Sequence, residues 1–458
     1  MNAEKRITLI ASLAASFLTP FMVASVNVAL PAIGREFSMD AVLMSWVGTS
    51  YLLAAAVFLI PIGRLSDIIG RKKIFLWGTV AFSATSLLTC FSSSPAGLII
   101  MRVVQGLSSA MIFATGMAIV TSVFPAGERG KAIGINITAT YAGLSIGPFL
   151  GGLLTGSFGW RSIFLATALA GAAVAALVFF RLKSEWAEAE GEKFDSAGAV
   201  VYSLSFASLI YGFSLLPSAA GMLLAIAGLS GGLGFFRMEA AARHPLMNLK
   251  AFRRNYVFIF SNLAALINYA ATFASGFLLS LYLQYIKGFS PGKAGLVLAV
   301  QPAVMAMLSA PAGHLSDRVK PRTLALAGMS VTALGLFFFA FLEEGTDVSS
   351  VCVALAVLGL GFALFSSPNT NAVMSSVQNR FYGVASATLG TMRLTGQTVS
   401  MSAAALIFSL HLGKAEITPA YHLPFLEAVR TSFGLFTILC LAGIFVSFIS
   451  DNPRKHGS

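Results

Sequence analysis

The chain has 458 residues, 57% of them hydrophobic and 10% charged, with a mean hydropathy of +0.82. Soluble domains usually carry about 25% charged residues, so a water-soluble globular protein is excluded and lipid is the expected solvent. The formal charge of +12 is spread along the chain rather than gathered on one soluble face, which argues against a nucleic-acid partner.

Apolar runs long enough to cross a bilayer recur throughout. In chain order, spans are expected near 7–29, 44–62, 74–92, 97–122, 132–155, 161–180, 197–216, 219–236, 256–284, 292–312, 323–342, 350–374, 384–410 and 428–449. Lys5 and Arg6 before the first run imitate a signal peptide. No small-residue cleavage site interrupts the run before Ala29, so it is expected to stay as the first span. Helix is the expected state, because lipid offers backbone groups no partners and the runs are too continuous for barrel strands.

Charge supports an even number of spans. With the N-terminus placed in the cytoplasm, 22 of the 30 Lys and Arg residues fall in inner segments and 6 in outer ones. The expectation is a multi-pass protein of the cell membrane with both termini cytoplasmic. Two cations, Arg102 and Arg393, remain inside spans. The three cysteines, Cys90, Cys352 and Cys440, lie in apolar segments without CxxC spacing, so neither a metal site nor a redox pair is expected.

The segment GRLSDIIGRKK at 63–73 returns as GHLSDRVKPR at 313–322. Each follows an even-numbered span and carries a basic cluster beside an Asp, Asp67 in one and Asp317 in the other. The recurrence implies two matched halves. The expected fold is all-α and integral to the membrane: fourteen transmembrane helices, as two six-helix bundles related by pseudo-symmetry plus two inserted helices. The expected divisions are 1–185, 186–252 for the inserted pair and its charged loops, and 253–458.

These residues resemble a known family. GRLSDIIGRKK and GHLSDRVKPR resemble the two copies of the motif A loop of the major facilitator superfamily. RVVQG at 102–106 resembles its motif B, and GLSIGPFLGG at 143–152 followed by WRSIF at 160–164 resembles motif C, associated there with exporters. VNVALPAI at 26–33, GLGFALFSSPNTNAVM at 359–374 and TMRLTGQ at 391–397 are similar to segments of the fourteen-span drug:proton antiporter branch. The resemblance implies a secondary active transporter that exports hydrophobic or amphiphilic small molecules by alternating access, in the manner of multidrug efflux, with proton coupling left open. The alternative is a facilitator or exporter of lipids or anionic metabolites.

Candidate roles follow. Gly63, Asp67, Gly70 and Arg71, with Gly313, Asp317 and Arg318, form the expected conformational latch. Asp67 would accept bonds from a helix N-terminus, where the dipole favours an anion, and Arg71, Lys72 and Lys73 would meet lipid phosphate or the other half. The alternative is a static topology anchor. Gly143, Gly147 and Gly151 share one helix face, and Pro148 breaks the hydrogen-bond ladder beside them; a hinge or plain close packing fits. Arg102 matches the motif B arginine that the family places in proton coupling; the other reading is a guanidinium tied to carbonyls and Gln105. Arg393 and Gln397 form an i, i+4 polar pair. Other cavity candidates are Met22, Asn27, Asn262, Asn268, Tyr269, Gln301 and Asn369.

The main departure concerns acids. Relatives of the fourteen-span branch commonly carry one in the first span, five residues before the Asn that aligns with Asn27; here that position is Met22. None of the 18 carboxylates falls at mid-membrane, where a proton carrier is usually needed. Coupling would have to use a peripheral acid such as Glu36, Asp40 or Asp67. A cavity with arginines and no acid suits neutral, amphiphilic or anionic molecules better than organic cations. The expected partners are a small-molecule substrate, membrane lipids and, if coupling exists, protons. No cofactor or metal is implied. No HExxH, GxSxG or clustered His/Asp is present, so an enzyme is not expected.

Overall fold

The computed structural model describes residues 3–216, 218–241, 246, 255–377, 382–413 and 417–449. Their regular structure is helical. In chain order the helices are α1 (Ala3–Glu36), α2 (Ala41–Ile69), α3 (Arg71–Thr89), α4 (Pro95–Val123), α5 (Ala126–Phe158), α6 (Arg161–Arg181), α7 (Ser196–Ser214) and α8 (Ala219–Ala241). Then come α9 (Tyr256–Thr272), α10 (Ser275–Leu281), a π-turn (Tyr282–Ile286), α11 (Pro291–Leu298), α12 (Val300–Arg318), α13 (Pro321–Phe339), α14 (Val348–Ser375), α15 (Tyr382–Leu412) and α16 (His422–Ile449).

Among the described residues, eleven helical stretches are long and apolar enough to cross a membrane, against the fourteen spans expected. The three expected spans outside that set, 74–92, 132–155 and 384–410, are helical as α3, α5 and α15 but are diluted with Gly, Ser and Thr. In α3 the hydroxyls of Thr79, Thr85, Ser86 and Thr89 bond to carbonyls one turn back in their own helix, which satisfies them in an apolar setting. Helices α5 and α15 are polar for another reason: both lie where the first and last sets of helices meet.

The packing order repeats. Helix α1 packs on α5 and α6, α2 on α4, and α3 on α4 and α6. Later in the chain α9 packs on α15 and α16, α12 on α14, and α13 on α14 and α16. Between these sets, α7 and α8 pack mainly on each other, and α7 also touches α2 and α15. Tyr202 and Ser203 of α7 donate to the Ala56 and Val57 carbonyls of α2, at 3.2 and 3.3 Å. The outward side chains of this hairpin, Leu204, Leu223, Ile226 and Leu233, are exposed apolar groups suited to lipid.

The two sets also touch each other, most closely at the end away from the α2–α3 turn, here termed the far end. A Cβ on Gly152 of α5 would sit 2.5 Å from the Pro291 carbonyl, and one on Gly295 of α11 would overlap the Pro148 carbonyl. Glycine is required at this seam because backbone meets backbone. Nearby, the π-turn reaches α1: Gln284 donates to the Val28 carbonyl at 2.9 Å, and Ser280 of α10 donates to the Asn27 carbonyl at 2.8 Å. The helix break at Phe273–Ala274 leaves the Ala274 N–H free to bond Ser400 Oγ of α15 at 3.0 Å.

Candidate functional site

The α2–α3 turn is the first element the sequence singled out. Gly70 joins the helices at φ 123°, a backbone shape that favours glycine. Asp67 Oδ1 accepts from Arg71 Nε at 2.9 Å. Arg71 Nη1 also donates to Ser122 of α4 and to Glu188, both at 2.7 Å. Glu188 belongs to the segment 182–195 that links α6 to α7, and the rest of that segment docks too. Glu185 accepts from the Lys72 and Lys73 N–H groups at 2.8 and 3.2 Å, neutralising the positive end of α3. Trp186 O accepts from Arg71 N, Asp67 O accepts from Ala189 N, and Glu192 pairs with Arg64. Asp67 thus pairs within its own turn, and Arg71 and the first N–H groups of α3 meet an acidic strap. Gly63 lies on the α4 side of α2, with Ala114 its nearest neighbour. In the second copy, Gly313 approaches Ser367 of α14; the side chains of Asp317 and Arg318 lie outside the described residues.

Arg102 of α4 is 1% exposed. Its Nε donates to the Val47 carbonyl and its Nη1 to Gln105 Oε1, both at 2.9 Å. Gln105 passes the chain on to Ser86 Oγ at 2.9 Å. The Tyr51 ring lies 4.4 Å from the guanidinium carbon, and its hydroxyl bonds Ser109. This is the arrangement of a guanidinium tied to a carbonyl and to Gln105, sealed inside α2, α3 and α4.

The peripheral acids also have partners. Glu36 accepts from Trp160 Nε1 at 2.7 Å and from Arg161 Nη1 at 2.8 Å, and Arg161 stacks on Trp160 while donating to the Cys90 and Ser92 carbonyls. Asp40 caps α2, accepting from Leu43 N at 2.7 Å. The Gly143, Gly147 and Gly151 stripe faces α1, against Phe17, Phe21, Ala24 and Ser25, while Pro148 faces α11.

Of the cavity candidates, Met22 and Asn268 have no exposed surface, and both amide atoms of Asn268 are without a partner. Asn262 donates to the Phe258 carbonyl of its own helix and Asn369 to the Ser261 carbonyl, at 2.8 and 3.1 Å. Asn27, Gln301 and Gln397 are partly exposed. Arg393 is partly exposed too and turns to α14, not to Gln397: Nη2 donates to Thr370 Oγ1 at 2.6 Å. Its guanidinium lies 5.7 Å from the Tyr269 ring centre, and its Nε is buried without a partner. Tyr269 meets Phe362 edge-on with ring centres 5.2 Å apart. Tyr141 of α5 completes the group. Its ring joins Tyr269, Met305 and Phe362 in one buried cluster, and its hydroxyl lies 2.7 Å from Ser366 Oγ.

The model of the Major Facilitator Superfamily matches residues 12–261 and again 261–458. The chain belongs to the Major Facilitator Superfamily. It is 30% identical to the multidrug resistance protein Stp of Mycobacterium tuberculosis, over all of this chain and 84% of that one. It is 27% identical to the riboflavin transporter RibZ of Clostridioides difficile, over 97% of each. In fold it is similar to a bacterial homolog of the human lysosomal transporter Spinster, with a TM-score of 0.73, 17% identity, and 98% and 97% of the two chains covered. The protein is therefore a multi-pass membrane transporter of small molecules, with relatives among multidrug resistance proteins, and not an enzyme.

Within this superfamily member, sequence reasoning reached Arg393 and Tyr269 but missed Tyr141, Met305, Phe362, Ser366 and Thr370. The last three lie in the quoted segment 359–374, and their signal was the hydroxyl spacing Ser366–Thr370, one helical turn. The docking of segment 182–195 was also missed. Its four glutamates at 185, 188, 190 and 192 against a basic turn were the available signal.

Proposed function

We propose that the protein exports hydrophobic or amphiphilic small molecules by alternating access between two bundles. The units are residues 1–185 and 253–458, with 186–252 as an inserted pair and fourteen spans in all. The end bearing the α2–α3 turn and both termini faces the cytoplasm, and the bilayer is the cell membrane. The observation that carries this reading is the contact between the sets. They meet along α2 and α15, through a glycine–proline seam at the far end where α5 crosses α11, and through a small polar–aromatic cluster around Arg393. Small-residue contacts let backbones approach closely and separate without stripping large side chains from lipid. The relatives' names, multidrug resistance and riboflavin transport, fit a site that takes ring compounds. The acidic strap braces the α2–α3 turn within the first bundle.

The second reading, transport without a membrane-embedded proton carboxylate, is favoured by the acids. Glu36 is held by Trp160 and Arg161, Asp40 caps a helix, and Asp67 pairs with Arg71. The test is flux of a hydrophobic dye into proteoliposomes with an internal pH indicator. Dye movement supports transport, and a pH shift on dye addition supports coupling. Sealed vesicles that hold folded protein but move no dye across a varied panel would refute the export reading.

A further inference from the structure

Resting on the transport reading above, we propose that Arg393, Tyr269, Phe362 and Met305 form the receptor for an aromatic ligand bearing an acidic oxygen group, and that Tyr141 occupies this receptor in the present conformation.

The charge argument comes first. A guanidinium has five N–H donors, and one alone at mid-membrane costs on the order of 2.5–3.5 kcal/mol or more. Arg393 donates once, to a neutral hydroxyl, and its Nε is buried and unbonded. It joins none of the ion pairs among the described residues. The sequence holds no Asp or Glu in 132–155, 300–316, 348–375 or 382–412, the stretches of α5, α12, α14 and α15 around it. The protein supplies no anion at this depth. A ligand carboxylate would meet the open donors in the paired geometry that guanidinium favours.

The ring argument is independent. The receptor wall is Tyr269 and Phe362 at right angles, with Met305 beside them. Edge-on aromatic walls and a pliable thioether suit a flat ring. The group now against that wall is itself a ring with an oxygen: the phenol of Tyr141, whose hydroxyl meets Ser366. Ser366 lies one turn from Thr370, the partner of Arg393, and Thr370 Oγ1 bonds the Ser366 carbonyl at 2.8 Å. Tyr141 comes from α5 in the first set of helices, whereas the wall and Arg393 belong to the last set. Separation of the two sets withdraws the phenol and leaves its place to the ligand. An organic cation would face Arg393 with like charge and be rejected.

The test uses the full chain in nanodiscs and three probes on one ring: 1-pyrenecarboxylate, its methyl ester and 1-pyrenemethylammonium. Equilibrium binding should rank the acid about tenfold or more above the ester, the gain of one charge-assisted bond, with the ammonium weakest. Arg393→Gln should bring the acid-to-ester ratio close to one, and Arg393→Lys should keep part of it. Tyr141→Ala should tighten acid binding several-fold by removing the occupant. Equal binding of acid and ester by the native chain, or preference for the ammonium, overturns the receptor without recourse to any variant. Acid preference retained in folded R393Q overturns the role of Arg393, and acid binding weakened by Y141A overturns the role of Tyr141. Parallel flux measurements separate this inference from the export reading. Acid-selective binding without flux keeps the receptor and removes export; ester flux without acid preference does the reverse.

Discussion

Two arginines sit within the spans, and the structure treats them in opposite ways. Arg102 is enclosed by its own set of helices, with Val47 O and Gln105 as acceptors and the Tyr51 ring over its face. Arg393 is partly exposed between the sets, with one neutral partner and an idle Nε. The sequence presents them as similar, since each lies in a span with a glutamine three or four residues on. The difference is that Arg102's partners all come from α2–α4, which do not need to move relative to one another. The surroundings of Arg393 are divided between sets, because Tyr141 belongs to α5 and Thr370 to α14. A satisfied buried charge is part of the scaffold; an unsatisfied one is open to a ligand.

The comparison breaks most visibly if Arg102 proves dispensable. Arg102→Met keeps the bulk but strands Gln105 Oε1, at roughly 1–3 kcal/mol for an unsatisfied buried group, and removes the side-chain bond to the Val47 carbonyl, which lies within α2. Thermal unfolding in detergent should show the largest drop of any variant described here. Gly106→Val probes the same network from the side, because its side chain would strike the Tyr51 carbonyl and Ala54. Overpacking of this kind costs about 1–3 kcal/mol, and the melting curve should fall between R102M and native. Arg393→Met should cost little stability or none, since the one bond lost is to a neutral hydroxyl and the cost of an under-paired guanidinium goes with it. Its deficit should appear in ligand selectivity instead. A small effect belongs to the strap. Glu185→Gln with Glu188→Gln removes an exposed helix-end interaction and a surface ion pair, together about 0.5–1.5 kcal/mol. It should speed limited proteolysis within 182–195 at low salt, a difference that high salt erases in part.

Much of this was readable before any coordinates. Composition set the solvent, periodic apolar runs set the helices, and the repeated G-x-L-S-D turn pointed to recurrence, which the packing order of α1–α6 and α9–α16 echoes. Helices α3, α5 and α15 were expected as spans and are helical, but small and hydroxyl residues dilute them, so they fall outside the eleven described stretches apolar enough to cross a membrane. Arg102's bonding to Gln105 was legible since the two are one turn apart. The strap was not: Arg71 and Glu188 are separated by 117 residues, and no local pattern links them. The Arg393 cluster draws on five helices, and its Tyr141–Ser366 bond spans 225 residues. Residue types hinted at chemistry, but only the fold could say which hydroxyl faced which ring.

The most direct measurement compares melting temperatures of native, R102M and R393M protein with and without 1-pyrenecarboxylate. The account predicts that R102M melts well below native yet is still stabilised by the acid, whereas R393M melts near native and gains nothing from it. A stabilising shift that survives in R393M, or an R102M that melts like the native chain, would contradict it.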